Sequence, residues 1–332
     1  MPVPSSSLKS VLIAGGAGYI GQVLTRQLIA AGCKVTILDR LLHGFEQGQT
    51  ISLLPGVEMV EGDIRDTELV AWSMRDQQAA ILLAALVGEK ACDLSPEETW
   101  EVNYRAPLSF FQAARRVGIH RLIFTSTDSC YGAREGEKLD EESPLAPLTL
   151  YARLKAQVET ELLDQSRDWL GVPVVTVLRL ATVYGLSDRI RFDLAANLLV
   201  REALLKGRAV IYSGEQWRPM VSVSDVARAF IKVLEAPTSL VASEIFNVGS
   251  DRQNIQFKEL GNILKTIIPN SVIETIPADP DLRDYYVKFG KISRVLAFNA
   301  QTELFDGLQA VKVALENGFP ADPYARLWRN TQ

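Results

Sequence analysis

The sequence predicts an α/β protein in which a doubly wound parallel sheet carries a smaller C-terminal α/β lobe. Three features point there. A short apolar run, Val11 to Ala14, ends in glycines and opens directly into a helical pattern. β-rich runs and helical stretches then alternate up to about residue 180. Beyond that point come short strands and turn-rich connections holding Pro219, Pro237, Pro277 and Pro280. A length of 332 residues, at roughly 150 residues per domain, suits two lobes. The first is expected over residues 1–180, with residues 218–248 returning to it, and the second over residues 181–332.

Taken in order, the elements follow from local pattern. From Tyr19 the apolar positions Ile20, Val23, Leu24 and Leu28 fall on one helical face, and Gly32 can end that helix in the left-handed conformation. Val35 to Leu38 supplies a second strand, and the alternation continues through Ala80 to Ala85, Leu122 to Phe124 and Val174 to Leu178. Between these, Thr99 to Val117 and Tyr151 to Trp169 read as long helices. The first carries Pro107 near its middle, where a missing N–H and a bulky ring oppose a regular helix. In the second lobe Arg189 to Lys206 reads as a helix, with strands at Ala209 to Tyr212 and Glu244 to Val248.

Composition removes several classes of function. With 47% hydrophobic and 23% charged residues the chain is globular rather than disordered. The 35 basic and 40 acidic residues are interspersed and leave no basic stripe, so nucleic acid is not an expected partner. Mean hydropathy is +0.07, and apolar runs such as Ala79 to Val87 are far shorter than the ~20 residues a bilayer requires, so no membrane partner is expected. Met1 to Lys9 has prolines and serines but no apolar core, and reads as a loose tail rather than a signal peptide. Cys33, Cys92 and Cys130 form neither a disulfide framework nor a metal motif, and a reducing cytoplasm is the expected setting. His43 and His120 are too few for a three-histidine metal site, and no metal is expected.

Chemistry concentrates at two places. Gly15, Gly18 and Gly21 stand between the first strand and its helix. Gly15 permits the tight turn, Gly18 lets the backbone approach a pyrophosphate, and Gly21 lets helix pack on strand. The helix N-terminus, with Tyr19 and Ile20 in its first turn, offers N–H groups and a positive dipole end. Asp39 closes the second strand eighteen positions after Gly21, where an acid holds the adenosine ribose, and this favours NAD; Arg40 beside it is suited to a 2′-phosphate. Farther on, Tyr151 and Lys155 lie four residues apart and so share one helical face. A lysine charge beside a phenol, reinforced by an oxidised nicotinamide, favours phenolate and makes Tyr151 a candidate general base.

In combination these residues resemble the extended short-chain dehydrogenase/reductase family, specifically its nucleotide-sugar epimerases and dehydratases, over nearly the whole chain. Gly15 to Gly21 looks like the family's cofactor turn. Gly62-Asp63-Ile64-Arg65-Asp66 resembles its adenine-contacting segment, and Leu83-Ala84-Ala85 the strand beside the nicotinamide ribose, with Leu82 in place of the usual histidine. Asn103 matches the family's helix asparagine, Phe124-Thr125-Ser126-Thr127 leads into Tyr131-Gly132, and Tyr151 and Lys155 match the catalytic pair. Arg179 to Gly185, which includes the candidate substrate contact Thr182, resembles the entry to the substrate lobe. Trp217-Arg218-Pro219 through Asp225-Val226-Ala227-Arg228-Ala229 resembles the return.

The resemblance implies a Rossmann fold, bound NAD, a nucleotide diphosphate sugar as substrate and a homodimer. It implies diphosphate contacts from Arg218 and Arg283, a nucleotide contact from Asn197, and a place for Thr127 beside the sugar's reacting oxygen. Arg189-Ile190-Arg191 reads either as a contact to that diphosphate or as solvated charge. The implied activity is that of an NAD-dependent nucleotide-sugar epimerase working through a transient 4-keto sugar, with hydride passing from carbon 4 to bound NAD and back. The alternatives are a 4,6-dehydratase, a keto-sugar reductase and, more remotely, a non-catalytic dinucleotide sensor. Dehydratases resembling this chain carry Thr-Asp-Glu where Thr127, Asp128 and Ser129 stand: the acid is kept, the base for the carbon-5 proton is missing, and epimerase ranks first. Cys130 is expected to pack into the sheet.

Overall fold

Residues 8–42, 51–134, 136–167, 173–277 and 284–330 are described by the computed structural model. His43 and Arg283 lie outside the described residues, as does the end of the helix expected to reach Trp169. The first lobe runs β1 (Ser10–Ala14), α1 (Tyr19–Ala30), β2 (Lys34–Asp39), β3 (Val57–Glu61), α2 (Thr67–Ser73), β4 (Ala79–Leu82), α3 (Glu89–Leu94) and α4 (Pro96–Trp100). A π-helical turn at Glu101–Arg105 then leads into α5 (Ala106–Val117), β5 (Arg121–Thr127), β6 (Lys138–Leu139), α6 (Leu150–Arg167) and β7 (Val174–Leu180).

Beyond it come β8 (Thr182–Tyr184), α7 (Ala195–Lys206), β9 (Arg208–Tyr212), β10 (Trp217–Ser222), α8 (Val223–Glu235), α9 (Thr238–Val241) and β11 (Glu244–Val248). The chain continues with β12 (Asn254–Gln256), α10 (Phe257–Ile267), β13 (Val272–Ile276), β14 (Tyr286–Val287), α11 (Gly290–Leu296) and α12 (Leu304–Glu316). The central sheet has seven strands in the order β11-β7-β5-β4-β1-β2-β3, every pair parallel. The winding reverses between β1 and β4, so a crevice opens at their carboxyl ends, where this architecture places its ligands.

The sheet is covered on both faces, as its nearly unbroken apolar strands require. Alternate residues of β1 point to opposite faces: Val11 and Ile13 join Leu24 and Leu28 of α1 and Phe230 of α8. Leu12 and Ala14 join Val70 of α2, Phe110 of α5 and Leu162 of α6. Tyr285, Phe289, Ile292, Leu296 and Phe298 return from late in the chain to the first of these cores. The second lobe has its own core, in which Phe192, Val200, Ile211, Leu264, Leu308 and Trp328 meet. No helix among the described residues is long and apolar enough to cross a membrane.

Two elements differ from expectation. The helix expected over Thr99–Val117 is α4, a π turn and α5 in succession. Pro107 cannot donate to the carbonyl four residues back and its ring would strike it, and the wider π turn just before α5 makes the room. The helix expected from Arg189 begins at Ala195. Its first turn is pre-empted by one long-range bond and two local ones: Phe192 N donates to Trp328 O at 2.8 Å, Asn197 Nδ2 donates to Arg191 O, and Arg191 folds onto Asp193 at 2.7 Å.

Candidate active site

At the crevice the glycine turn packs backbone against backbone at Gly15 and Gly21. Gly15 has φ +85°, and a Cβ on it would stand 2.6 Å from Ala84 N. On Gly21 a Cβ would meet Gly16 Cα and O at 2.5 Å, so α1 can pack this close only with glycine there. Gly18 leaves the outer side of the turn open, a Cβ there meeting only Gly15 O at 3.2 Å. The first amides of α1, which no helical carbonyl can accept from, face that opening. Asp39 accepts from Ala17 N at 3.0 Å and from Leu41 N at 2.9 Å, which ties the end of β2 to the turn.

A cleft of about 740 Å3 follows this edge of the sheet. Gly15, Gly18, Tyr19, Ile20, Gly21, Asp39, Arg40, Asp63, Ile64, Leu83, Ala84 and Ala85 all line it. Arg40 is engaged by acids, its Nε 3.2 Å from Asp63 and its Nη1 3.3 Å from Glu98, so it is not held ready for a 2′-phosphate. Asn103 is fully buried in the π turn. Its Oδ1 accepts from Leu86 N and its Nδ2 donates to Leu86 O, both at 2.8 Å, which fixes the loop after β4 that forms the cleft's far wall. An open glycine turn at a helix N-terminus, a half-buried carboxylate at the strand end and an apolar far wall fit a dinucleotide.

The catalytic residues expected from the sequence gather where β5 ends. Thr127 accepts from Ser129 N at 3.2 Å and starts the short turn of residues 128–131. On α6, Lys155 is 2% exposed, donates to Thr125 O at 2.9 Å and stands 4.7 Å from the centre of the Phe124 ring and 5.8 Å from that of Tyr151. Burial lowers its pKa to about 8. Burial also pushes the Tyr151 phenol well above its ordinary range; the expected lowering joins the lysine charge to that of an oxidised nicotinamide.

Asp128 is 1% exposed, neither carboxyl oxygen has a hydrogen-bond partner among the described residues, and burial raises its pKa well above the usual range. Cys130 packs inside, its sulfur 3.5 Å from Ala152 O and 3.8 Å from Ser126 Oγ. Beneath lies a buried network: Arg179 grips Glu159 at 2.7 Å and donates to Tyr131 Oη, which donates to Asn247.

On the second lobe the expectations divide. Arg218 is buried in β10, its guanidinium 5.2 Å from the Tyr285 ring centre and 5.6 Å from that of Phe257. Thr182 begins β8 and is paired in register with Met220. Asn197 is corrected: its Oδ1 accepts from Gly185 N and its Nδ2 donates to Gly185 O and Arg191 O, so its amide holds the loop rather than facing a nucleotide. Arg189 and Arg191 line the glycine-turn cleft, and Arg189 is 2% exposed, which excludes the solvated reading. Arg326, Arg329 and Asn330 also line the cleft and were missed. The one sequence signal available was Trp328 set among charged residues, an apolar anchor that brings its neighbours against the fold.

A model of the NAD dependent epimerase/dehydratase family matches residues 11–249. The chain is 32% identical to the UDP-glucose 4-epimerase of Azospirillum brasilense, over 81% of this chain and 82% of that protein. It is 28% identical to the dTDP-glucose 4,6-dehydratase of Streptomyces niveus over 90% of each. Among solved structures, a dTDP-glucose 4,6-dehydratase from Streptomyces venezuelae with NAD bound superposes with a TM-score of 0.82 at 27% identity, covering 93% of this chain and 98% of that one. The UDP-glucose 4-epimerase of Thermotoga maritima with UDP-glucose gives a TM-score of 0.82 at 25% identity, covering 93% and 99%.

Proposed function

This chain belongs to the NAD dependent epimerase/dehydratase family, and from that premise we propose that it epimerises a nucleotide diphosphate sugar through a transient 4-keto intermediate. NAD, held by the glycine turn, Asp39 and the loop after β4, supplies a reversible acceptor for a hydrogen and its electron pair. Everything else falls to the protein. Tyr151 takes the proton of the sugar's carbon-4 hydroxyl as that carbon is oxidised and gives it back when the carbonyl is reduced on its other face. Lys155, its ammonium 5.8 Å from the centre of the phenol ring, places a positive charge that favours the phenolate, while Thr127 orients the reacting oxygen. Arg218 meets the substrate diphosphate, and Arg283 is assigned the same role from the sequence.

The observation that carries the choice of reaction is Ser129, which follows Thr127 and Asp128 and has no carboxylate to remove a carbon-5 proton. One feature favours 4,6-dehydration as a second reading: Asp128 is buried with no hydrogen-bond partner among the described residues, and burial raises its pKa, which favours the protonated carboxyl a general acid needs. Incubating the purified protein with a panel of nucleotide sugars, with no cofactor added, separates the two. A product of unchanged mass supports epimerisation; a product lighter by one water, or no reaction until reduced cofactor and a keto sugar are supplied, overturns it. Ser129→Glu should shift product towards dehydration, and an unaltered product would deprive the position of its diagnostic value.

A further inference from the structure

The glycine turn supplies only neutral amides to a pyrophosphate, yet the opposite wall of its cleft is built from the second lobe and is strongly basic. The segment after β8 lies across the N-terminus of α1. Tyr19 Oη donates to Gly185 O at 2.8 Å, Ser187 Oγ donates to Tyr19 O at 2.8 Å, and Asp188 pairs with Arg26 on the outer side of the same helix. Two residues past Ser187, Arg189 lines the cleft at 2% exposure, and its Nε and Nη2 are buried without a hydrogen-bond partner among the described residues. Arg326 and Arg329 line the same cleft, brought there by Trp328, whose indole N–H donates to Asp322 O and whose carbonyl accepts from Phe192 N. Asn330 N donates to Asp193 and fastens the segment at its far side.

A buried guanidinium with two nitrogens left without hydrogen-bond partners among the described residues is costly; the nearby charges of Asp39 and Asp193 offset that cost without bonding those nitrogens, and an anion in the cleft would bond them. Burial lowers the pKa of Arg189 only to about 10, with Arg191 beside it adding to the shift, so it remains charged at neutral pH. Arg191 is ion-paired with Asp193 and Arg40 with Asp63 and Glu98, whereas Arg189 feels the Asp39 and Asp193 charges but makes no ion pair with either, and its Nε and Nη2 have no hydrogen-bond partner among the described residues.

We propose that Arg189, with Arg326 and Arg329 at the rim, forms a cationic clamp on the pyrophosphate of the bound dinucleotide, gripping it from the face opposite the glycine turn. This rests on the reading of the turn as an NAD site. The clamp joins cofactor binding to the second lobe, and its loss should show as cofactor released during dialysis rather than retained. The substrate's diphosphate shares this chemistry, so the two sources are tested side by side.

Titration calorimetry on cofactor-stripped protein, using NAD, adenosine and uridine diphosphate as probes, is made on wild type, Arg189→Gln and Arg189→Lys. Arg189→Gln should lose more than tenfold in NAD affinity, keep adenosine and uridine diphosphate within about twofold, and be partly rescued in Arg189→Lys. Arg326→Gln, at an exposed position, should lose severalfold. Without ligand, Arg189→Gln should melt within a few degrees of wild type, because it removes a buried cation with two unbonded nitrogens along with its attraction to Asp39 and Asp193, while its NAD-induced rise in Tm shrinks. Unchanged NAD affinity in Arg189→Gln, a loss confined to uridine diphosphate, or equal losses for NAD and adenosine each overturn the clamp. Wild type that binds neither NAD nor adenosine overturns the NAD reading beneath it.

Discussion

At the scale of single residues, the site is governed by what burial does to charge. Tyr151 and Lys155 share a helical face, but both are short of water, and desolvation pushes the phenol up and the ammonium down. Replacing Tyr151 by Phe should lower turnover by at least a hundredfold while NAD stays bound, and turnover within tenfold of wild type would move the base elsewhere. Lys155 gives a stability signature of its own. Its folded pKa of about 8 lies below the lysine value of 10.5, so the unfolded chain binds this proton more tightly. The resulting cost is fully present below about pH 8 and fades as pH rises towards 10.5. Between pH 8 and 10, wild type should therefore gain roughly 2 kcal/mol relative to Lys155→Met in urea unfolding. A difference that stays level across that range contradicts a buried, titrating lysine.

Among the elements, α1 and the π turn set the geometry of the cleft by different means. Gly21→Ala places a methyl 2.5 Å from backbone that cannot yield, so α1 must move off the turn. We expect a stability loss of about 1–3 kcal/mol in chemical denaturation and NAD affinity weakened more than tenfold, against an intact site if the helix can shift freely. The glycine turn and the central strands other than β3 were legible in the sequence because they are local: φ preference, apolar runs and the spacing of Asp39 are written in adjacent residues, whereas β3, Val-Glu-Met-Val-Glu, is only partly buried and carries no apolar run. The start of α7 was not, since Trp328, whose carbonyl accepts from Phe192 N and so competes with a helical turn, lies far along the chain, and the Asn197 bond to Arg191 O, though local, follows no repeating pattern. Asn197 failed for the same reason, matching a family position whose amide is here consumed by Gly185 and Arg191. Pro107 announced a disturbance without its form, and Arg326 and Arg329 belong to no repeating pattern; only their anchoring beside Trp328 brings them to the cleft.

For the molecule as a whole, the two lobes are stitched at several places besides the cleft. Asp225 at the start of α8 is buried and accepts from Gln301 N at 3.0 Å and Thr302 N at 2.9 Å, just ahead of α12, while pairing with Arg228. Asp225→Ala strands those two amides and should cost about 2–4 kcal/mol, with the link before α12 becoming the first site of protease cleavage. An unchanged digestion pattern would show that the apolar contacts carry the junction. The double return of the chain to the sheet also decides what can be cut from it. A fragment ending at residue 180 would lack β11 and the apolar side chains of Phe289, Ile292 and Leu296, leaving β7, Val-Val-Thr-Val-Leu-Arg-Leu, as a bare edge. Such an edge recruits strands from other copies. The cofactor-binding half is thus not a portable module: it would aggregate when expressed alone, and gene fusions or chimaeras that exchange lobes must carry the discontinuous segments together.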